Sequence, residues 1–228
     1  MTNKQSNQID ASLKPDTRIK KQQHFNLRSI EHSDVDTIAD WYRQIEDISI
    51  FDRHTPVPIN HTEVSELVES LVADQKIDKC RWFIAETEEG TAVGMTALES
   101  INMMHGNAIL PVFIAEPWRR CGLGIRMSAM MIDLAFKQLR LHRVATLYRS
   151  DNVATAAMIN RLGFKQEGVS KQAWFNGGKY LDLVNVAVLV DEWELNRLAL
   201  QTELDPAVTL KLGSRASEAW CWPSKNAS

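Results

Sequence analysis

The sequence predicts an α+β fold, a mostly antiparallel sheet with helices, as a single domain with N- and C-terminal extensions. Three observations predict it. An apolar run, 108–115, feeds a glycine-bearing turn and then an amphipathic stretch, 125–140. Two earlier strand-like runs are joined by Glu88-Glu89-Gly90 and end on His105-Gly106-Asn107, the pattern of an antiparallel meander. Two later runs, 165–175 and 179–190, flank Asn176-Gly177-Gly178, a hairpin signal.

In chain order, residues 1–24 are polar with a mild positive excess and read as a flexible arm. Residues 25–30 alternate as a first strand. Ser33-Asp34-Val35-Asp36 resembles a capping box, and Val35, Ile38, Ala39, Tyr42 and Ile45 follow at helical spacing. Residues 48–59 read as irregular, with Phe51, Asp52, Arg53, His54, Pro56 and Pro58, and serve as a plain connector or as a substrate wall. Thr62-x-x-Ser65 opens a second helix that buries Val64, Leu67, Val68, Leu71 and Val72. Residues 81–86 and 92–103 are the meander strands.

In the helix at 125–140, Ile125, Ala129, Ile132, Ala135, Phe136 and Leu139 share one face, with Arg126, Asp133, Lys137 and Arg140 opposite. Residues 142–148 form a strand and 152–161 a short helix, with Asn152 as its N-cap and Gly163 as its left-handed C-cap. Residues 191–200 are a last helix of the domain, 25–200. The extension, 201–228, carries Trp220, Cys221 and Trp222, which suggests docking on the domain or on a partner.

Composition narrows the function. A 44% hydrophobic content is enough for a core, and a net charge of −3 gives no pull toward nucleic acid or anionic membrane. No apolar run is long enough to span a bilayer, and the N-terminus has no signal-peptide core. Cys80, Cys121 and Cys221 lack metal spacing, and the six histidines form no ligand cluster, so no metal and a cytoplasmic setting are expected.

The turn carries the chemistry. Arg119-x-x-Gly122-x-Gly124 lies between a buried strand and a helix start, where unpaired backbone N–H groups bind phosphate and glycine allows close approach. By itself it also fits a tight turn with exposed arginines. It is no P-loop, since Gly-Lys-Ser/Thr is missing, and the third glycine of a dinucleotide fingerprint falls at Met127.

Taken with the β-α-α-β-β-β-α-β-α-β-β order, three matches carry a resemblance to the GNAT superfamily of N-acetyltransferases. They are this loop, the series Leu141-His142-Arg143-Val144, Asn152-Val153-Ala154 and Arg161-Leu162-Gly163-Phe164, and the segment 174–182. The last is similar to the closing hairpin of the branch with ribosomal-protein-alanine and spermidine N-acetyltransferases. The resemblance implies a GNAT-like mixed, mostly antiparallel twisted sheet flanked by helices. It also implies acetyl-CoA as co-substrate and an amine acceptor. Arg119, Arg120, Cys121, Gly122, Leu123, Gly124 and Ile125 would cradle the pyrophosphate, and Val112, Phe113 and Ile114 would pair with the pantetheine arm. Asn152 would bond near the thiol, and Arg161 would reach a phosphate or stay solvated.

The reaction would be direct amine attack in a ternary complex, with the oxyanion on a backbone N–H from 113–115. The family's tyrosine acid falls at Ile159, which cannot donate a proton. Tyr148 and Ser150, on one face of the same strand, are substitutes, and solvent is the other option. Glu116 and Glu99 are the candidate bases, with a water relay as the alternative. Cys121 reads as a small loop residue. An α-amino group is roughly a tenth neutral at pH 7, whereas an alkylamine is almost wholly protonated. Glu46, Asp47 and Asp52, opposed by Arg53, are too few to hold a polycation. These points rank an α-amino terminus or amino sugar above a polyamine. A non-catalytic acyl-CoA-binding or interaction module is the alternative class. A homodimer through the C-terminal extension is a further expectation.

Overall fold

A computed structural model describes residues 22–224, except 53, 56, 77, 214, 216, 218 and 219. The expected flexible arm lies outside the described residues up to position 21, as do Arg53 and Pro56 of the expected wall. Strand β1 (Gln23–Ser29) leads to α1 (Val35–Tyr42), α2 (Ile45–Phe51) and α3 (His61–Ala73). Next come β2 (Arg81–Thr87), β3 (Ala92–Asn102), β4 (Asn107–Ile109), β5 (Val112–Ile114), α4 (Leu123–Asp133) and β6 (Arg143–Arg149). The chain continues with α5 (Val153–Arg161), β7 (Lys165–Asn176), β8 (Lys179–Leu189), α6 (Val190–Glu203), β9 (Val208–Leu212) and β10 (Cys221–Trp222).

The strands form one sheet in the order β10-β9-β1-β2-β3-β4-β6-β8-β7, with β5 also on β3. Neighbours are antiparallel except at β1–β9 and β4–β6. Side-chain alternation along the strands gives the sheet two apolar faces. One buries Trp82, Ile84, Met95, Ala97 and Phe113 with Ile38, Ile48, Val64 and Val68 of α1–α3. The other buries Phe25, Leu27, Leu98 and Val144 with the apolar side of α4, Ile159 of α5 and Trp193 of α6. The hairpin joining β7 to β8 turns on Gly177 and Gly178, both at positive φ, as a two-residue turn between twisted strands requires.

Several expectations need correction. The segment 48–59 is not irregular throughout: α2 takes it as far as Phe51, burying Ile48 and Ser49. The helix at α3 is capped by Asn60, whose Oδ1 accepts from Glu63 N while Glu63 Oε2 accepts from Asn60 N, both at 3.0 Å. Thr62 is already inside that first turn. The box before α1 is also displaced: Glu31 N donates to Asp34 Oδ2 at 2.8 Å, ahead of a single 3-10 turn, His32–Asp34.

The largest correction concerns α4. It starts at Leu123, and a π-helical turn, Leu134–Gln138, ends it. Arg126 and Asp133, expected on its solvent face, are only 2% and 1% exposed. The C-terminal extension covers them. Strand β9 lies beside β1, and Trp222 is fully buried in the same core as α4. The extension therefore docks on its own domain and completes the sheet.

Candidate active site

Strands β4 and β6 run side by side, with Asn107↔Arg143, Ala108↔Val144 and Ile109↔Ala145 in register. Leu110 N still reaches Ala145 O at 2.8 Å. Pro111 follows and has no N–H to give. The apolar run 108–115 is therefore two strands rather than one. Beyond Pro111, β5 stays on β3 while β6 pairs only with β8, so a wedge opens between β5 and β6.

Backbone alternation decides which groups line the wedge. Ala97 N donates to Pro111 O at 3.3 Å, and Ala115 N to Val93 O at 2.9 Å. Odd-numbered residues of this strand thus bond to β3, and the main-chain groups of Val112 and Ile114 turn toward the wedge. Among the expected oxyanion donors at 113–115, Ala115 N–H is spent on Val93 and Phe113 N–H is aimed at Met95. Only Ile114 N–H points into the opening. The Ile114 carbonyl accepts from Arg119 Nε at 2.9 Å.

The loop closes one end of the wedge. A single 3-10 turn, Glu116–Trp118, leads to Gly122, which N-caps α4 at φ 86°. Leu123, Gly124 and Ile125 are first-turn residues whose N–H groups have no acceptor within the helix, at its positive end. Arg119 grips Asp47 of α2 as well as Ile114 O, and Arg120 is exposed. Cys121 Sγ donates to Trp118 O at 3.0 Å and packs as a small loop residue. A methyl group on Gly124 would stand 3.4 Å from Met158 Sδ, so the glycine lets α5 lie close.

On α5, Asn152 Oδ1 accepts from Thr155 N at 3.1 Å, the expected N-cap, and Gly163 takes φ 82° at the C-terminus. Arg161 is exposed and pairs at the surface with Glu203 of α6 at 2.7 Å. Ile159, at the family's tyrosine position, is buried in the main core, while Met158 is the residue that meets the first turn of α4.

The opposite wall is α2. It is bound to the loop through Asp47 and to β6 through Arg149, whose Nη1 donates to Ser49 O at 2.7 Å. Asp151 holds the Arg149 guanidinium from the other side, at 2.7 and 2.9 Å. Sequence reasoning missed this clamp. Its only trace is an arginine at a strand end two residues before an aspartate. The rings of Trp41 and Phe51 pack on Phe113 at 5.2 and 5.3 Å, and with Tyr42, Ile48 and Met95 they line a small apolar cavity.

Beside that cavity, Tyr42 donates its hydroxyl to Asp52 Oδ2 at 3.0 Å, and Asp52 Oδ1 accepts from His54 N and Thr55 N. Glu99, half-buried on β3, is close enough for Asp52 to repel its charge. Burial first and Asp52 second raise its carboxyl above the ordinary range, with His54 opposing. Burial and Asp52 hold the Tyr42 phenol far above its usual range, so it stays a donor.

The remaining candidates are dispersed. Glu116 is exposed on the 3-10 turn. Tyr148 packs half-buried against the α4-side core. Ser150 does not share a strand face with it: β6 ends at Arg149, and Ser150 is exposed in the following turn, its N–H on Asp182 O. Among the described residues no three His, Cys, Asp or Glu side chains are grouped to hold a metal ion. Among them, too, no helix is long and apolar enough to cross a membrane.

Known proteins resemble this chain in sequence and in fold. The chain is 29% identical over 106 residues to a putative ribosomal N-acetyltransferase of Bacillus subtilis, covering 46% of this chain and 58% of that protein. It is 24% identical over 131 residues to spermidine N(1)-acetyltransferase of Escherichia coli, covering 58% of this chain and 68% of that protein. Its fold matches a crystal structure of spermidine N-acetyltransferase from Vibrio cholerae in complex with CoA and spermine. The TM-score is 0.68 at 22% identity, over 75% of this chain and 98% of that one. The model of the acetyltransferase (GNAT) domain matches residues 24–165, more than half of the sequence, and the chain therefore belongs to the GNAT acetyltransferase family.

Proposed function

We propose that this chain transfers the acetyl group of acetyl-CoA to a primary amine, by direct attack within a ternary complex. The observation that carries the reading is the wedge at Pro111. It turns the main-chain groups of Val112 and Ile114 toward a gap that ends at the Gly122 cap of α4. An extended, amide-bearing arm pairs with the former, and its pyrophosphate rests on the N–H groups of 122–125 beside Arg119 and Arg120. Asn152 Nδ2 remains available to the thioester end, since Oδ1 serves the cap.

In the reaction, the amine nitrogen bonds to the thioester carbon. Negative charge develops on the carbonyl oxygen, where Ile114 N–H donates. The C–S bond then breaks and CoA leaves as thiolate. Glu99 takes the proton that the amine loses. Its half-burial and raised pKa suit a base near neutral pH better than the exposed position of Glu116. The thiolate is protonated from solvent. Ile159 has no part in this step, and Tyr148 and Ser150 stay as alternative donors on β6 and the turn after it.

The acceptor is a short or terminal amine, such as an α-amino terminus or an amino sugar, entering over the Trp41, Phe51 and Phe113 rings. Asp47 is already engaged by Arg119, which leaves Asp52 and Glu99 for one ammonium rather than several. A polyamine is the second reading, favoured by that carboxylate pair and by the spermidine acetyltransferases among the relatives. The expected homodimer has little support from the C-terminal tryptophans, because Trp222 is buried within its own domain.

The test is thiol release from acetyl-CoA with an Ala- or Ser-terminated peptide, an amino sugar and spermidine at equal concentrations. Preference for the peptide or sugar in kcat/KM supports the ranking, and preference for spermidine reverses it. Tight CoA binding without turnover on a wide amine panel supports the non-catalytic alternative.

A further inference from the structure

Arg126 follows the loop by one turn of α4 and is among the largest fully buried side chains. Its Nη1 donates to Gly122 O at 2.8 Å, its Nε to Val208 O at 2.8 Å, and its Nη2 to Asp205 O at 2.5 Å. One guanidinium thus joins the cap of α4 to the C-terminal segment 205–208. Seven residues later, on the same side of α4, Asp133 repeats the arrangement. Its carboxylate accepts Trp222 Nε1 at 3.1 Å and Trp193 Nε1 at 2.9 Å, and it pairs with Arg197 and Lys137. The segment from β9 to β10 is therefore tied along α4 near both of its ends. It lies beyond residue 165, where the family match stops.

The geometry has a consequence for anion binding. In a trans peptide, the carbonyl of one residue and the N–H of the next point in opposite directions. With Gly122 O held inward by Arg126, Leu123 N–H is aimed outward, where an anion would sit. Gly122 is at φ 86°, a region from which a glycine drifts readily if nothing holds it. The guanidinium also puts a full positive charge beneath the loop, since arginine stays protonated even when burial lowers its pKa.

We propose that the C-terminal segment is a working part of the coenzyme site, with Arg126 as the positioning residue through which β9 sets the pyrophosphate loop. This rests on the reading of 119–124 as that loop. A purely structural role would alter stability and affect every thioester alike. A positioning role affects the part of the coenzyme that carries the pyrophosphate.

The experiment compares acetyl-CoA with acetyl-pantetheine, which keeps the thioester and lacks the pyrophosphate, in the full-length chain. The wild type should prefer acetyl-CoA strongly in kcat/KM. No preference would overturn the loop reading itself. Arg126→Lys keeps the charge but cannot hold three carbonyls, and it should cut the acetyl-CoA to acetyl-pantetheine ratio by about tenfold. A ratio equal to wild type in a folded Arg126→Lys protein overturns the proposal while leaving the loop reading intact. If that variant does not fold, Trp222→Phe decides the matter, since it removes the Nε1 hydrogen bond to Asp133 while leaving a ring beside Trp193 and Arg197. A loss of about threefold in the same ratio is expected, and an unchanged ratio overturns the proposal.

Discussion

On the α4 face of the sheet, Arg126 and Asp133 are almost completely buried, and each is met by several partners. On the α1–α3 face, Glu99 and Asp52 carry like charges close together, and His54 is the opposing group. Buried charges with complete hydrogen bonding fix one arrangement of the chain, and breaking one is expensive. Two neighbouring carboxylates cost stability in the folded protein. On the function proposed above, that cost is kept for chemistry rather than for folding. The two faces therefore differ in kind: one locks its charges into complete hydrogen bonding, and the other keeps two carboxylates in mutual repulsion, which suits the coenzyme and acceptor sides proposed above.

Neutralising the acceptor side should give the largest kinetic effect. Glu99→Gln should lower kcat/KM by about 10²–10⁴-fold, the usual scale for losing a general base, with CoA affinity unchanged in calorimetry. Stability should move the other way. Burial and Asp52 raise the Glu99 carboxyl, so the native state binds this proton more tightly than the unfolded chain does. The penalty of ionising it grows as pH rises from the unfolded value near 4.3 through the raised folded value, and above that it is complete. Glu99→Gln should thus raise Tm at pH 7 and leave it nearly unchanged at pH 4. A lower Tm at pH 7 would make Glu99 a structural residue.

The matching lesion on the coenzyme side is Gly122→Asp. A Cβ there would lie 2.5 Å from Arg126 Nη1, at a φ that side chains avoid. The added carboxylate would also occupy the positive charge meant for the pyrophosphate. CoA affinity should fall by roughly 100-fold, and the thermal shift by CoA should vanish. Retained affinity would remove the loop from the site.

Ile159 tests the comparison through packing. Its burial predicts that Ile159→Ala costs about 2–5 kcal/mol of stability. Restoring the family's tyrosine should overpack the core, at about 1–3 kcal/mol, rather than improve turnover. Denaturant melts with acetyl-CoA kinetics would check both. A stable, faster Ile159→Tyr enzyme would place that residue at the thiol after all.

The same division governs what the sequence makes legible. The proposed coenzyme loop is written locally: Arg119, Gly122 and Gly124 lie close in sequence, as Asn152 does to the helix it caps, although the loop by itself also fits a tight turn and only the resemblance singles it out. The proposed acceptor side is assembled from α1, α2, β3 and the turn at Asp52, and no local pattern links Tyr42 to Asp52 or Asp52 to Glu99. Helical periodicity also misassigned Arg126 and Asp133, because it presumes that a polar face meets water. It has no means of showing that a distant strand and Trp222 will cover that face. Pro111 was visible as a residue, but its effect depends on β6 being alongside until Ala145 and then parting.

The smallest expected effect is the most specific to the acceptor side. Asp52 is held by the Tyr42 hydroxyl and by the N–H groups of His54 and Thr55. That fixed charge is one of the two causes that raise Glu99. Asp52→Asn removes the charge and keeps the shape, so Glu99 should ionise more easily. A base acts only when deprotonated, and the acid limb of kcat/KM should therefore move to lower pH, with the plateau at higher pH largely kept. Asp52→Glu retains the charge and should leave the limb near its wild-type position. The measurement is a pH profile of kcat/KM with one amine at saturating acetyl-CoA. If the limb moves to higher pH, or shifts equally in both variants, Asp52 acts on the amine rather than on Glu99, and the two carboxylates belong to the acceptor's ammonium instead of to a base and its tuning charge.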